Sequence, residues 1–228
     1  MKNRTINIAV VEEVALAMGP LNAKMVFVGG AVVSLYADDP IADEIRPTSD
    51  IDMTVNLVKF SGWVELQEQL AALHIYPDPY GHSTCSYRYQ NIPLDIIPAD
   101  GPHMGASNRW YGYGFKDLYT VMANTVEIRI LPTPCYLASK FEAFNDRGKD
   151  YRTSHDFEDI IYVLDNRLSI VDEVASAHLD VKNYLKQELL KAYKGGFWED
   201  ILLSHIHPLL LEERAPLLSD KVNQIIQF

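Results

Sequence analysis

A chain of 228 residues, 48% hydrophobic and 22% charged, can build one good core or two small ones, and this composition excludes a disordered polypeptide. The formal net charge of −11 argues against broad, sequence-independent nucleic-acid binding, although a local basic groove stays compatible with it. The longest apolar runs, Ile6–Val11 and Met25–Val28, are far short of the ~20 residues that a membrane span needs.

Glu12 and Glu13 interrupt any signal-type apolar segment near the start. Cys85 and Cys135 are isolated, without metal-ligand spacing, and read as buried thiols rather than a disulfide. The expectation is a cytoplasmic protein without membrane association.

In chain order, Ile6 to Met18 has helical apolar spacing and Gly19-Pro20 ends it. Met25–Val28 reads as a buried strand, followed by Gly29-Gly30 and a small apolar helix over Ala31 to Tyr36. A strand, two glycines and a helix leave backbone N–H groups open to an anion, because glycine has no side chain to obstruct approach. Asp38 to Glu44 is an acidic, Pro-containing loop.

Next comes Arg46-Pro47-Thr48-Ser49-Asp50-Ile51-Asp52-Met53-Thr54-Val55. A strand repeats its side-chain direction every second residue, so Asp50 and Asp52 project from one face. Two carboxylates on one face repel unless a positive charge lies between them, and a divalent cation is the usual solution. Phe60 to Leu73 has helical periodicity, and Pro77-Asp78-Pro79-Tyr80-Gly81 breaks the chain. A hairpin follows over Ser83–Gln90 and Ile92–Pro98, with Asn91 between. Asp95 is the odd residue there: an acid among Leu94, Ile96 and Ile97 in a run that reads as buried. Such an acid needs a partner, because an unpaired buried carboxylate costs several kcal/mol. A cation shared with Asp50 and Asp52 is one.

The loop from Gly101 to Phe115 is rich in glycine and aromatics. Its end, Trp110 to Phe115, can stack on a base, although covering a core is the favoured reading. A second hairpin spans Leu118 to Leu131, turning at Asn124-Thr125. Beyond Pro132 the composition becomes helical, over Cys135–Asn145, Ser154–Asn166, Ile170–His178, Val181–Tyr193 and from Ala215 onward. Two domains are expected, residues 1–131 and 132–228. Asp156 and Asp159 share a helix face; capping by Ser154 with an ion pair to Arg152 or Lys149 is as good a reading as a site role. His205-Ile206-His207 reads as structural.

Together, Phe27-Val28-Gly29-Gly30, Asp50-Ile51-Asp52 and Leu94-Asp95-Ile96 form an ordered pattern that resembles the nucleotidyltransferase superfamily containing DNA polymerase beta. Arg46-x-Thr48-x-Asp50-Ile51-Asp52 is similar to the bacterial branch around the AbiEii-type toxins. So are Leu137-Ala138-Ser139-Lys140-Phe141-Glu142-Ala143, Arg147 and His155-Asp156-Phe157-Glu158-Asp159-Ile160. Gly-Gly stands where Gly-Ser is common in that branch, and His155 where an arginine or lysine often precedes the aspartate.

The resemblance implies an α+β fold: a nucleotidyltransferase-like mixed sheet with flanking helices, then a helical C-terminal part. It implies Asp50, Asp52 and Asp95 as catalytic acids and ligands of two Mg²⁺ ions. It also implies nucleotide contacts from Gly29, Gly30, Arg46, Thr48, Lys140, Asp156 and Asp159, with Lys140 and Arg46 reaching phosphates. The implied reaction moves an NMP from an NTP to a hydroxyl of tRNA or other RNA, a protein or a small molecule, and a toxin would have an antitoxin protein as partner. A catalytically degenerate nucleotide- or protein-binding module of the same fold is the alternative. A metal-dependent glycosyltransferase is disfavoured by the strand and Gly-Gly ahead of the acids.

Overall fold

The computed structural model describes residues 3–42, 46–48, 50–57, 60–81, 83–99, 108–148 and 150–228. The chain divides into two compact units, residues 1–32 with 44–132, and residues 33–43 with 133–228.

The first unit is built on a sheet that, among the described residues, has seven strands: β1 Met25–Val28, β2 Ile51–Val55, β3 Ile75–Pro77, β4 Ser86–Tyr89, β5 Ile92–Pro98, β6 Tyr119–Ala123 and β7 Val126–Ile130. Their order is β3-β4-β5-β2-β1-β7-β6. The sheet is mixed: β1 runs antiparallel to β2 and parallel to β7, while β2 runs parallel to β5. All four residues of β1 are buried, as a central strand of continuous Met and β-branched or aromatic residues requires.

Both expected hairpins form. Gln90 and Asn124, at φ of +51° each, open their two turns in the left-handed region that two-residue hairpin loops demand. Helix α1 (Asn3–Met18) packs on β6 and β7. Helix α2 (Phe60–Ala72) turns Trp63 edge-on to Tyr87, with ring centroids 6.3 Å apart.

Three local expectations change. The segment after Gly29 is a seven-residue 3-10 helix, Gly30–Tyr36, rather than an α-helix; it is too short to sum a useful dipole at its first turn. Ile75–Pro77 adds a three-residue edge strand, where a terminal proline removes no ladder bond that a neighbour needs. Trp110–Gly114 forms a short helix, α3, with Trp110 and Tyr111 buried, which favours the core-covering reading of that stretch. The Arg109 guanidinium lies over the Trp110 ring, 4.5 Å from its centroid. Residues 101–107 of the same stretch lie outside the described residues.

The second unit is helical: α4 Thr133–Arg147, α5 His155–Asn166, α6 Ile170–Ser176, α7 Leu179–Lys194, α8 Trp198–His205 and α9 Leu211–Gln227. Ser154 caps α5, its hydroxyl accepting from Phe157 N at 3.3 Å. The C-terminal end of α5 is closed by other elements. Asn166 O accepts from the backbone N–H of Asp38 and of Asp39, and Lys221 Nζ donates to the carbonyls of Leu164, Asp165 and Arg167. Buried Arg214 completes this fastening with bonds to Asp165 (2.7 Å), Asp39 (3.0 Å) and Asn166 (2.8 Å). Asp38 and Asp39, at the start of the expected acidic loop, are therefore tied into the helical unit.

His205 Nε2 lies 2.6 Å from the carbonyl oxygen of Tyr151 and its ring packs on Phe157, so its role is structural. Cys85 and Cys135 are buried and not joined in a disulfide. No described helix is long and apolar enough to cross a membrane.

Candidate functional site

The acid row is a product of register. Val28, the last residue of β1, faces Asp52 of β2, Asp52 faces Asp95 of β5, and Asp95 faces Ser86 of β4. Partners at one register point to one face of a sheet, so Asp52 and Asp95 stand side by side on it. Ser86 is buried, and its hydroxyl donates to Asp95 Oδ1 at 2.7 Å. That bond engages one of the two carboxylate oxygens.

Gly29 follows Val28 at φ +72°. A Cβ built on it falls 1.9 Å from Asp52 Oδ2, so the carboxylate occupies the space that any other residue's side chain would take. Both demands, a positive φ and a missing Cβ, select glycine here. Asp50 lies one residue before β2 and is exposed. Its Oδ1 accepts from Thr48 Oγ1 at 2.9 Å.

Asp95 departs from the sequence expectation in one respect. Leu94 and Ile96 are buried, but Asp95 itself is half-exposed, because strand alternation carries it to the open face. Its charge is felt next door: burial pushes the Cys85 thiol up, and the Asp95 carboxylate adds to the push.

A hard divalent cation suits two adjacent carboxylates on an open sheet face, with Asp50, one residue ahead of β2, as a candidate third oxygen donor. Among the described residues, no three His, Cys, Asp or Glu side chains are already gathered closely enough to hold a metal. Arg46, half-buried, and Thr48 lie on the segment entering β2, and Gly30 opens the 3-10 helix.

The remaining expected residues belong to the second unit and meet one another. Lys140 on α4 reaches Asp159 Oδ2 at 2.6 Å and Asp156 Oδ1 at 3.2 Å on α5, all three being buried. Arg147 adds a longer contact to Asp156, 3.5 Å. The expected pairing of these acids with Arg152 is not what forms: Arg152 bonds Asp150, two residues away. Lys149 lies outside the described residues. A buried lysine between two carboxylates is compensated electrostatically, and losing any member would leave an unbalanced charge in a dry setting.

Ser86 is the site residue that sequence reasoning passed over. A signal existed: a two-residue turn at Gln90-Asn91 pairs Tyr89 with Ile92, and counting outward brings Ser86 opposite Asp95.

This sheet order with the acid row, followed by a helical unit, defines a nucleotidyltransferase-like fold. Among solved structures, a protein from H. pylori provisionally described as a nucleotidyltransferase is similar at TM-score 0.52 and 15% identity, the match covering 100% of this chain and 96% of that one. An antigenic nucleotidyltransferase-like protein from Paracoccidioides brasiliensis is similar at TM-score 0.49 and 15% identity, covering 92% of this chain and 96% of that one. No family model and no curated protein sequence matches the chain.

Proposed function

We propose that this chain is a metal-dependent nucleotidyltransferase, moving a nucleoside monophosphate from an NTP to a hydroxyl acceptor. The observation that carries the reading is the side-by-side register of Asp52 and Asp95, with the Asp52 carboxylate seated over Gly29. Asp50, Asp52 and Asp95 are the residues that would hold two Mg²⁺ ions, which when bound supply positive charge to the attacking and leaving oxygens.

The chain's own groups account for the rest. The acceptor oxygen forms a bond to the α-phosphorus, the bond to the bridging oxygen breaks, and pyrophosphate leaves. Asp95, oriented by Ser86, takes the proton of the attacking hydroxyl. The open backbone at Gly29-Gly30 admits the triphosphate, and Arg46 and Thr48 are its proposed phosphate contacts.

The likeness of Arg46-x-Thr48-x-Asp50-Ile51-Asp52 to the AbiEii-type branch supports the finer reading of a cytoplasmic toxin with an antitoxin partner. The acceptor class runs from tRNA to a protein or small-molecule hydroxyl, and the net charge of −11 weighs against acceptors held by charge alone.

The test is label transfer. The protein is incubated with each α-labelled NTP, Mg²⁺ and, separately, total tRNA, a protein pool and small alcohols, alongside Asp52→Ala and Asp95→Ala. Transfer that vanishes in both variants is expected. Nucleotide binding with no transfer to any acceptor would assign the fold a binding role instead.

A further inference from the structure

Away from the acid row, the first unit contains a cavity of about 420 Å³ at the opposite end of the β1–β2 pair. Asp52 faces Val28 at one end of that pair, whereas the cavity is lined by Val55 and Lys24 at the other. Its floor is apolar, made by Val55, Leu57, Leu66 and Phe115, and two cations, Lys24 and Arg129, stand in its wall. Arg129 Nε is buried and bonded to no protein group among the described residues. A buried guanidinium nitrogen is costly when unmatched, and the same arginine lines the cavity.

We propose that this cavity is a second small-molecule site, taking an anion with a flat apolar body. The anionic group, a phosphate or a carboxylate, bonds to the Arg129 fork and is attracted by Lys24. The flat body lies on Phe115 and the leucines, in a volume suited to a small ligand. Glu65 also lines the cavity, but it is exposed to solvent at the rim. It therefore disfavours polyanions while leaving a singly charged head at the buried arginine undisturbed. The inference is independent of the nucleotidyl-transfer reading, since none of the residues assigned to transfer lines the cavity.

The cavity can be filled without breaking the fold. Among the described residues a Cβ on Gly62, in α2, meets Leu57 Cδ2 alone, at an ordinary 3.6 Å, and leucine is a better helix former than glycine. The probe is 1-anilinonaphthalene-8-sulfonate, an aryl anion of the proposed shape, titrated by fluorescence into the wild type, Gly62→Leu, Arg129→Gln and Asp52→Ala.

One saturable site is expected in the wild type and in Asp52→Ala. In Gly62→Leu it disappears while the melting temperature holds or rises, and in Arg129→Gln affinity falls at least tenfold. Displacement of the probe by phenyl phosphate against benzoate tells which anion the arginine takes. Undiminished binding in Gly62→Leu, or no saturable site in the wild type, would overturn the proposal. Undiminished binding in Arg129→Gln alone would overturn its anionic half.

Discussion

Oδ2 of Asp52 lies where the Cβ of residue 29 would be, 1.9 Å from that position, and Gly29 is the residue that leaves the space open. The Asp52 carboxylate and the backbone turn are thereby one steric unit. Gly29→Ala forces Asp52 off its rotamer and places a Cβ at φ +72°, a conformation that costs about 1–2 kcal/mol for a residue with a side chain. The expected outcome is a modest fall in melting temperature with near-complete loss of NTP-dependent labelling. Wild-type labelling by Gly29→Ala would separate the turn from the chemistry.

The Ser86–Asp95 bond makes a milder prediction. Removing a donor to a carboxylate typically costs about 1.5–3 kcal/mol, or roughly tenfold or more in rate if that carboxylate must be oriented to act. Ser86→Ala should lower kcat with the KM for NTP little changed, and Ser86→Thr should restore most of it. A change confined to KM would mean that Asp95 serves binding alone.

Within the helical unit, Lys140→Met strands Asp156 and Asp159 together without their central cation. A loss of about 3–5 kcal/mol in urea unfolding is expected, as for other buried pairs cut on one side. Adding Asp156→Asn and Asp159→Asn to Lys140→Met should recover much of that loss, because the uncompensated charges are then gone. A triple variant no more stable than Lys140→Met would show that packing of the lysine stem, not charge, is what α4 and α5 depend on.

The Arg214 cluster makes the acid limb of stability readable. Bonding from Ile41 N, helped by Arg214, holds the Asp39 carboxyl below its ordinary value against the opposing effect of burial. Its contribution is therefore present above the ordinary carboxylate range and is lost as the pH falls through the lowered value. Asp165 has the opposite sign. Burial raises its carboxyl despite Arg214 and Lys221, so the folded state takes up this proton first and acidification through the raised value favours folding. Unfolding midpoints measured from neutral pH downward should fall less steeply in Asp39→Asn and more steeply in Asp165→Asn than in wild type. Parallel curves for all three proteins would remove both carboxyls from the acid response.

How much of this was legible beforehand depends on the range of each interaction. The buried strand at Met25–Val28, the glycines after it and the two hairpins all rest on periods of two residues and on turn chemistry, which neighbours in the chain encode. Ser86 sits at the limit of this reach, recoverable only by counting a hairpin register outward. Ile75–Pro77 lay beyond it, since three residues ending in proline carry too little pattern to mark an edge strand.

The sequence by itself thus determined the mixed sheet and the helical half. Tertiary structure alone decided which charges meet. Asp39 finds Arg214 across 175 positions, and Lys140 joins α5 acids 16 and 19 positions on. It also decided that Asp52 comes to rest on Gly29, across a strand pair rather than along a chain. Secondary structure is written in local spacing, whereas charge pairing and close approach depend on how distant segments pack, and no local pattern carries that information.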